Sequence, residues 1–208
     1  VRCNRSCNQK SYRVPMDVVN ALKQDIAYTP ESTQNLTTKG LFKHINRLFS
    51  EREESEISCD LLLVELHSLF EDNSSLAFCQ QIKEYEKTGI CGNEFLLLLL
   101  FCHRFINLDD DCVGFHDFDD LFEEKWIFKD MKSELQNGTS ELLENNILDH
   151  SNDNGFGDRE YFRISSTAKE KLFVELDIKT TQSNNKKELM LYGSIPSKEL
   201  FYNKREQS

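Results

Sequence analysis

The sequence predicts a mainly helical protein with a small β-hairpin, and three observations predict it. Of the 208 residues, 38% are apolar and 11% are aromatic, so the chain can bury a core. It has only 8 glycines and 3 prolines, which disfavours a turn-rich all-β design. Apolar residues recur at helical spacing along most of the chain, and two short alternating segments lie close together near its C-terminal third.

The first half of the chain predicts helices. Residues 1–14 form a polar, basic leader, and residues 15–92 predict a helical subdomain. Within it, apolar stripes at helical spacing predict helices at 16–28, 38–52, 58–70 and 75–85. The helix at 58–70 is apolar on most faces, so we expect it at the centre of the fold. Two glycines in residues 87–93 mark the boundary to a second subdomain.

Residues 93–178 predict a winged helix-turn-helix-like subdomain. A buried helix at 93–106 leads to a short strand at 112–115 and a helix that includes Leu121 and Phe122. Further helices follow at 127–135 and after Thr139 or Ser140. A strand at 147–150, a polar loop with two glycines, a strand at 160–165 and a helix capped by Ser165 or Ser166 complete the order. This order is typical of a winged helix, and the alternative is a bare hairpin on a helical domain.

The charges of this subdomain disfavour DNA as its partner. The net charge of the chain is −11, and residues 101–178 carry 8 Lys and Arg against 19 Asp and Glu. DNA affinity depends mainly on cations placed against phosphates, so an acidic winged helix is better suited to a protein surface. The predicted interaction surface consists of an aromatic residue at the wing tip and nearby cations, namely Phe156, Arg159, Arg163, Lys129 and Lys132.

The acidic stretch LDDDCVGFHDFDD, residues 108–120, partly matches a calcium-binding loop. Counted from Asp109, acidic residues occupy positions 1, 3, 9 and 12. Position 5 is Val113, where an oxygen ligand is needed, and position 12 is Asp120 instead of a bidentate Glu. An acidic turn followed by a short strand is therefore the favoured interpretation.

The sequence predicts no metal, cofactor or catalytic site in this chain. The candidate zinc ligands are Cys102, His103, Cys112 and His116. Cys102 and His103 are adjacent, and adjacent helical side chains point about 100° apart. The chain contains neither a G-x-x-x-x-G-K-[ST] phosphate loop nor a G-x-G-x-x-G turn. Whether the chain belongs to an enzyme is thus left uncertain by these residues.

Cysteine usage and hydropathy predict a cytoplasmic protein. Seven cysteines at irregular spacing, with no apolar signal segment after the basic leader, indicate reduced thiols. The longest apolar run, residues 95–101, is far shorter than the ~20 residues of a membrane-spanning helix. We therefore expect no membrane partner.

Four runs of the sequence resemble one known family. TPESTQNLTTKGLF, DDDCVGFHDFDDLFE, NDNGFGDREYFRISSTAKEKL and SIPSKELFYNKREQ are similar to the region before the ATPase domain in bacterial AAA ATPases of the Bacteroidetes type. The resemblance covers about residues 16–207. It implies that residues 179–208 are a linker toward an ATPase domain missing from this chain. ATP and Mg²⁺ are implied for that longer parent only, because the family's nucleotide-binding lysine, acidic Mg²⁺ ligands and arginine finger have no counterparts here.

Together these observations predict a non-catalytic N-terminal module of an AAA-type ATP-binding protein. Such a module recognises a protein partner or controls the ATPase, and the partner is another protein or the parent's own ATPase domain. The alternative is a free-standing winged-helix DNA-binding regulator. That alternative requires a basic face, and the surplus of acidic residues in 101–178 counts against it.

Overall fold

A computed structural model describes residues 16–27, 32–151 and 158–176, and its fold is mainly helical with a small antiparallel sheet, as predicted. The helices are α1 (Met16–Lys23), α2 (Thr38–Glu53), α3 (Cys59–Asp72), α4 (Ala77–Lys87), α5 (Gly92–Asn107), α6 (Lys125–Asn137), α7 (Glu141–Glu144) and α8 (Ser166–Leu172). The strands are β1 (Val113–Gly114), β2 (Leu148–Ser151) and β3 (Asp158–Ile164). The leader at 1–14 and the linker at 179–208 lie outside the described residues.

Hydroxyl side chains define where the C-terminal helices begin. The Ser140 hydroxyl accepts a hydrogen bond from the amide of Leu142 at 3.3 Å, at the start of α7. The Ser165 hydroxyl accepts one from the amide of Ala168 at 3.1 Å, at the start of α8. Each bond satisfies an amide that has no partner within the first helical turn. Of the predicted alternatives, the structure therefore selects Ser140 and Ser165.

Helix α5 occupies the centre of the fold, and α3 does not. All residues of α5 from Phe95 to His103 are buried, and α2 packs against both α5 and α3. Helix α3 buries only one stripe, while Leu61 and Val64 on its other side are 43% and 63% exposed. The expectation that residues 58–70 would be central is thus wrong. Despite its apolar length, α5 cannot cross a bilayer, and neither can any other described helix.

Contacts near the end of α8 join the two predicted subdomains. The Phe173 ring lies 6.1 Å from those of Phe42 and Phe78, measured between ring centroids. The Glu175 carboxylate accepts hydrogen bonds from the Thr38 hydroxyl and, at 3.0 Å, from the Ala77 amide. Residues up to Leu176 accordingly cluster into one compact unit. The division into 15–92 and 93–178 stays a prediction.

The sheet has the strand order β1-β3-β2, with antiparallel pairing throughout. Leu148 pairs with Ile164 and Val113 pairs with Phe162, and these four side chains are all buried. Because alternate residues of a strand face opposite sides, Tyr161 and Arg163 lie on the other face of β3. This is the alternation that the sequence predicts for the hairpin.

The segment between β1 and α6 is not the predicted helix. Phe115–Asp117 forms one 3₁₀ turn, a turn at residues 119–121 follows it, and Phe122 comes next without regular structure. Both of these side chains are buried. Arg52, at the end of α2, donates from Nε to the carbonyl of Leu121 at 2.9 Å and from Nη2 to that of Asp120 at 3.2 Å. The backbone oxygens are thus bonded to a guanidinium instead of to helical amides.

Candidate interaction surface

The cations of the predicted interaction surface lie on α6 and β3. Lys129 is exposed, and Lys132, one turn later on α6, is half-buried. Lys132 Nζ lies 4.7 Å from the centre of the Phe115 ring, within the range of a cation–π contact. Arg163 donates from Nη2 to the Ser151 hydroxyl at 3.0 Å, across the hairpin. Phe156 and the Arg159 side chain lie outside the described residues.

Lys132 lines an aromatic cleft between α6 and the sheet. The cleft has a volume of about 350 Å³, and its walls include Phe115, Phe128 and Tyr161, with Glu160 at one side. The Phe115 ring packs edge-on against Phe162, with 5.6 Å between ring centroids, so this wall belongs to the core of the sheet. The cleft is therefore built of aromatic rings with one cation, and it is not a basic groove.

Gly114 allows this wall to form. A Cβ atom placed on Gly114 would lie 2.7 Å from Cε1 of Tyr161 and 2.9 Å from Nδ1 of His116. Real Cβ atoms do not approach other atoms so closely, so any side chain here would displace these two rings. The Gly114 amide also donates to Asp117 Oδ2 at 2.7 Å. Only glycine fits between the strand, the 3₁₀ turn and Tyr161 without a shift.

Helix α7, the last helix before the hairpin, is short and acidic. It has four residues and begins and ends with glutamate, Glu141 and Glu144. Its capping Ser140 also donates to Glu94 of α5, 2.9 Å from hydroxyl to Oε1. Burial raises the pKa of the Glu94 carboxyl. Helix α7 therefore presents carboxyl groups, whereas a DNA-reading helix carries cations.

Two of the four acidic positions of the possible calcium loop, Asp111 and Asp117, are used in ion pairs. Lys169 Nζ lies 2.6 Å from Asp111 Oδ1. Arg104 Nη2 lies 2.8 Å from Asp117 Oδ1 and also 2.6 Å from Asp110 Oδ2. Because Asp111 and Asp117 bind different cations, their oxygens do not converge on a common point as the ligands of a calcium ion must.

The possible zinc ligands lie in different surroundings. Cys102 is fully buried, and burial raises the pKa of its thiol. His103 stacks on Phe49 with 4.9 Å between ring centroids, and the Asn107 amide donates to its Nδ1 at 2.9 Å. Burial and the neighbouring Arg104 lower the pKa of His103 to about 4, so the ring is neutral. In the described ranges no group of three potential ligands surrounds one point.

A second concave surface, which we call the acidic groove, lies where α2 ends, α3 begins and residues 119–125 pass beside them. Its volume is about 650 Å³. The amide of Cys59 donates to Glu123 Oε1 at 3.3 Å and brings these two segments together. This groove was not predicted from the sequence. Its only signal is composition, because the groove combines the run EREESE with DFDD, about 65 residues further along.

Comparisons with known proteins do not assign this chain to a family. No family model, curated protein or solved structure matches it. The resemblance to the region before an AAA ATPase domain therefore stays a prediction.

Proposed function

We propose that this chain is a non-catalytic module of an AAA-type ATPase and that it recognises a protein partner or controls the ATPase. One observation carries the recognition part of the proposal. Two cations of the predicted interaction surface, both half-buried, contact other groups of the fold, Lys132 the Phe115 ring and Arg163 the Ser151 hydroxyl. A surface that binds phosphates would present these groups to solvent instead. A predominantly acidic surface favours a protein partner.

The ATPase part of the proposal rests on the resemblance of the four sequence runs. The reading frame beyond Ser208 tests it directly. We expect a G-x-x-x-x-G-K-[ST] phosphate loop within one short linker of that residue. A stop codon with no such segment nearby would remove the ATPase from the proposal.

A separate experiment on the complete protein tests whether this module controls the rate of ATP hydrolysis. The rate of ATP hydrolysis would be compared between the full chain and a chain that lacks residues 1–176. If the module controls the motor, the two basal rates differ. If it only recruits a partner, the basal rates are equal and just the response to that partner is lost.

A DNA-binding regulator is the second candidate, and the order of elements favours it. Helix α5, strand β1, helices α6 and α7 and the pair β2-β3 follow each other as in a winged helix, and the sheet order is β1-β3-β2. Titration of a labelled DNA duplex at low salt decides between the candidates, because electrostatic attraction is strongest there. We expect no binding, and saturable binding that weakens steeply with salt would favour the regulator.

A further inference from the structure

We propose that the acidic groove binds a basic, amphipathic segment of the partner protein and that Trp126 is its main aromatic contact. This inference rests on the proposed function, since it names the chemistry of the partner and the surface that receives it. Four properties of the described residues carry it, namely the shape of the groove, its charge, its apolar floor and the exposed indole beside it.

The groove has a rigid base. Arg52 is 7% exposed and donates to backbone carbonyls on both sides of the groove, to Ile57 at 3.2 Å and to Leu121 at 2.9 Å. These bonds join the loop after α2 to the loop before α6. A groove held by buried charge-assisted hydrogen bonds keeps its shape before a partner arrives, which lowers the entropic cost of binding.

The charge of the groove selects a cationic partner. Its lining includes five acidic residues, namely Glu53, Glu56, Asp119, Asp120 and Glu123. Lys125 is the exposed cation among the lining residues, and the buried Arg52 guanidinium lies 3.7 Å from Glu123 Oε1, so it offsets the charge of one of the five carboxylates. Several carboxylates facing one concave surface concentrate negative potential there, which attracts Lys and Arg side chains and repels nucleic acid.

Apolar groups in and beside the groove indicate that the partner segment carries apolar side chains as well as positive charge. Ile57 contributes a half-buried side chain to the lining, and Leu61 is 43% exposed in the first turn of α3. Trp126 follows Lys125 directly and is 60% exposed. Its indole Nε1 donates to the Glu124 carboxylate. Tryptophan dominates many protein interfaces, and its face also attracts cations, so a basic segment with apolar residues is complementary to this surface.

The single tryptophan of the chain makes the test specific, because all indole emission comes from Trp126. The probe is a synthetic helical peptide with lysine on one face and leucine on the other. Two matched peptides serve as comparisons, one with glutamate for every lysine and one with serine for every leucine. We expect a saturable blue shift of the emission with the first peptide only.

Two double variants distinguish binding of the peptide in the groove from general electrostatic attraction to an acidic protein. Asp119→Asn with Asp120→Asn removes two exposed charges from the groove, and we expect about tenfold weaker binding at low salt. Glu144→Gln with Glu170→Gln removes two exposed charges outside the groove lining, and we expect affinity within about twofold of the original. All four substitutions keep side-chain shape, and circular dichroism verifies the fold.

Trp126→Ala is tested with a fluorescent label on the peptide, and anisotropy replaces indole emission. A dominant aromatic contact predicts a loss of about tenfold or more. The proposal is overturned by an unsaturable response, by equal weakening in both double variants, by full affinity of the serine peptide or by an unchanged affinity of Trp126→Ala. Any of these results removes the groove and leaves the proposed function standing, since the reading frame and the duplex titration test that separately.

Discussion

The two ends of the acidic stretch at residues 109–120 have opposite roles. At its start, Asp110 and Asp111 are bonded to Arg104 and Lys169, with nitrogen–oxygen distances of 2.6 Å in both pairs. At its end, Asp119 and Asp120 are exposed and line the acidic groove. The same residue type, repeated within twelve residues, thus supports the fold at one end and faces a possible partner at the other.

The cause of the difference is what the neighbouring cations bind. Arg104 and Lys169 reach side-chain carboxylates, so their partners are neutralised within the fold. Arg52 donates to the backbone oxygens of Asp120 and Leu121, and the carboxylate it pairs with, at 3.7 Å, is that of Glu123. It fixes the path of the chain, while the Asp120 carboxylate stays on the groove surface. A buried cation can therefore bind the backbone of an acidic residue without binding its carboxylate.

Removal of Arg52 should have the largest effect on stability. Arg52→Met leaves three backbone carbonyls without their donor, and we expect a loss of about 3 kcal/mol in the free energy of unfolding. Lys125→Met is the matched control, because Lys125 lines the same groove but is exposed, and we expect a change within about 0.5 kcal/mol. Urea denaturation measures both. Equal effects would mean that Arg52 does not hold the groove.

Alanine substitutions at Asp117 and Asp119 compare an ion-paired carboxylate of the stretch with one that lines the groove, only two residues apart. The Asp117 side chain is 10% exposed, pairs with Arg104 at 2.8 Å and accepts from the Gly114 amide. We expect Asp117→Ala to cost about 2 kcal/mol in unfolding free energy, because a part-buried cation and an amide lose their partner. Asp119→Ala should change it by no more than about 0.5 kcal/mol. Similar losses would contradict the division of roles.

The buried side chain of His103 predicts that the free energy of unfolding depends on pH. The pKa of His103 is lowered to about 4 in the folded state, so the unfolded state binds a proton first as pH falls below about 6.5. Stability should therefore decrease by about 2 kcal/mol between pH 7 and pH 5 from this group alone. The His103→Leu variant should lose about 2 kcal/mol less stability between pH 7 and pH 5 than the original protein. Urea denaturation at several pH values measures this difference. An unchanged pH dependence would show that the pKa of His103 is not lowered in the folded protein.

Gly114→Ala should have the smallest effect of the four. Gly114 lies within the acidic stretch, and its new Cβ would displace the Tyr161 and His116 rings. We expect a loss of about 1 kcal/mol, because both rings are at least partly exposed and can move. Neither ring lines the acidic groove, and Asp119 is the residue that lines both the groove and the aromatic cleft, so peptide affinity should not change. A loss of affinity would indicate that the aromatic cleft and the acidic groove are coupled.

Candidate site residues were only partly predictable from the sequence. Lys129, Lys132 and Arg163 were identified because charge is visible in a sequence, but the Phe115 ring and the Ser151 hydroxyl that bind two of them are not. Trp126 was missed, because a lone aromatic at the start of a helix usually belongs to the core. Its 60% exposure is known only from the fold.

Sequence alone determined the features that depend on neighbours along the chain. Hydroxyl caps at residues 139–140 and 165–166, between which the structure selects Ser140 and Ser165, and the alternation of Phe162 with Arg163 follow from hydrogen bonds and side-chain directions within a few residues. Only the tertiary structure decided which apolar helix is central and which carboxylates face the acidic groove. Helices α3 and α5 are both rich in leucine, and their burial depends on how many other elements cover them. Contacts between distant segments, such as Arg52 with Leu121, leave no periodic trace in the sequence.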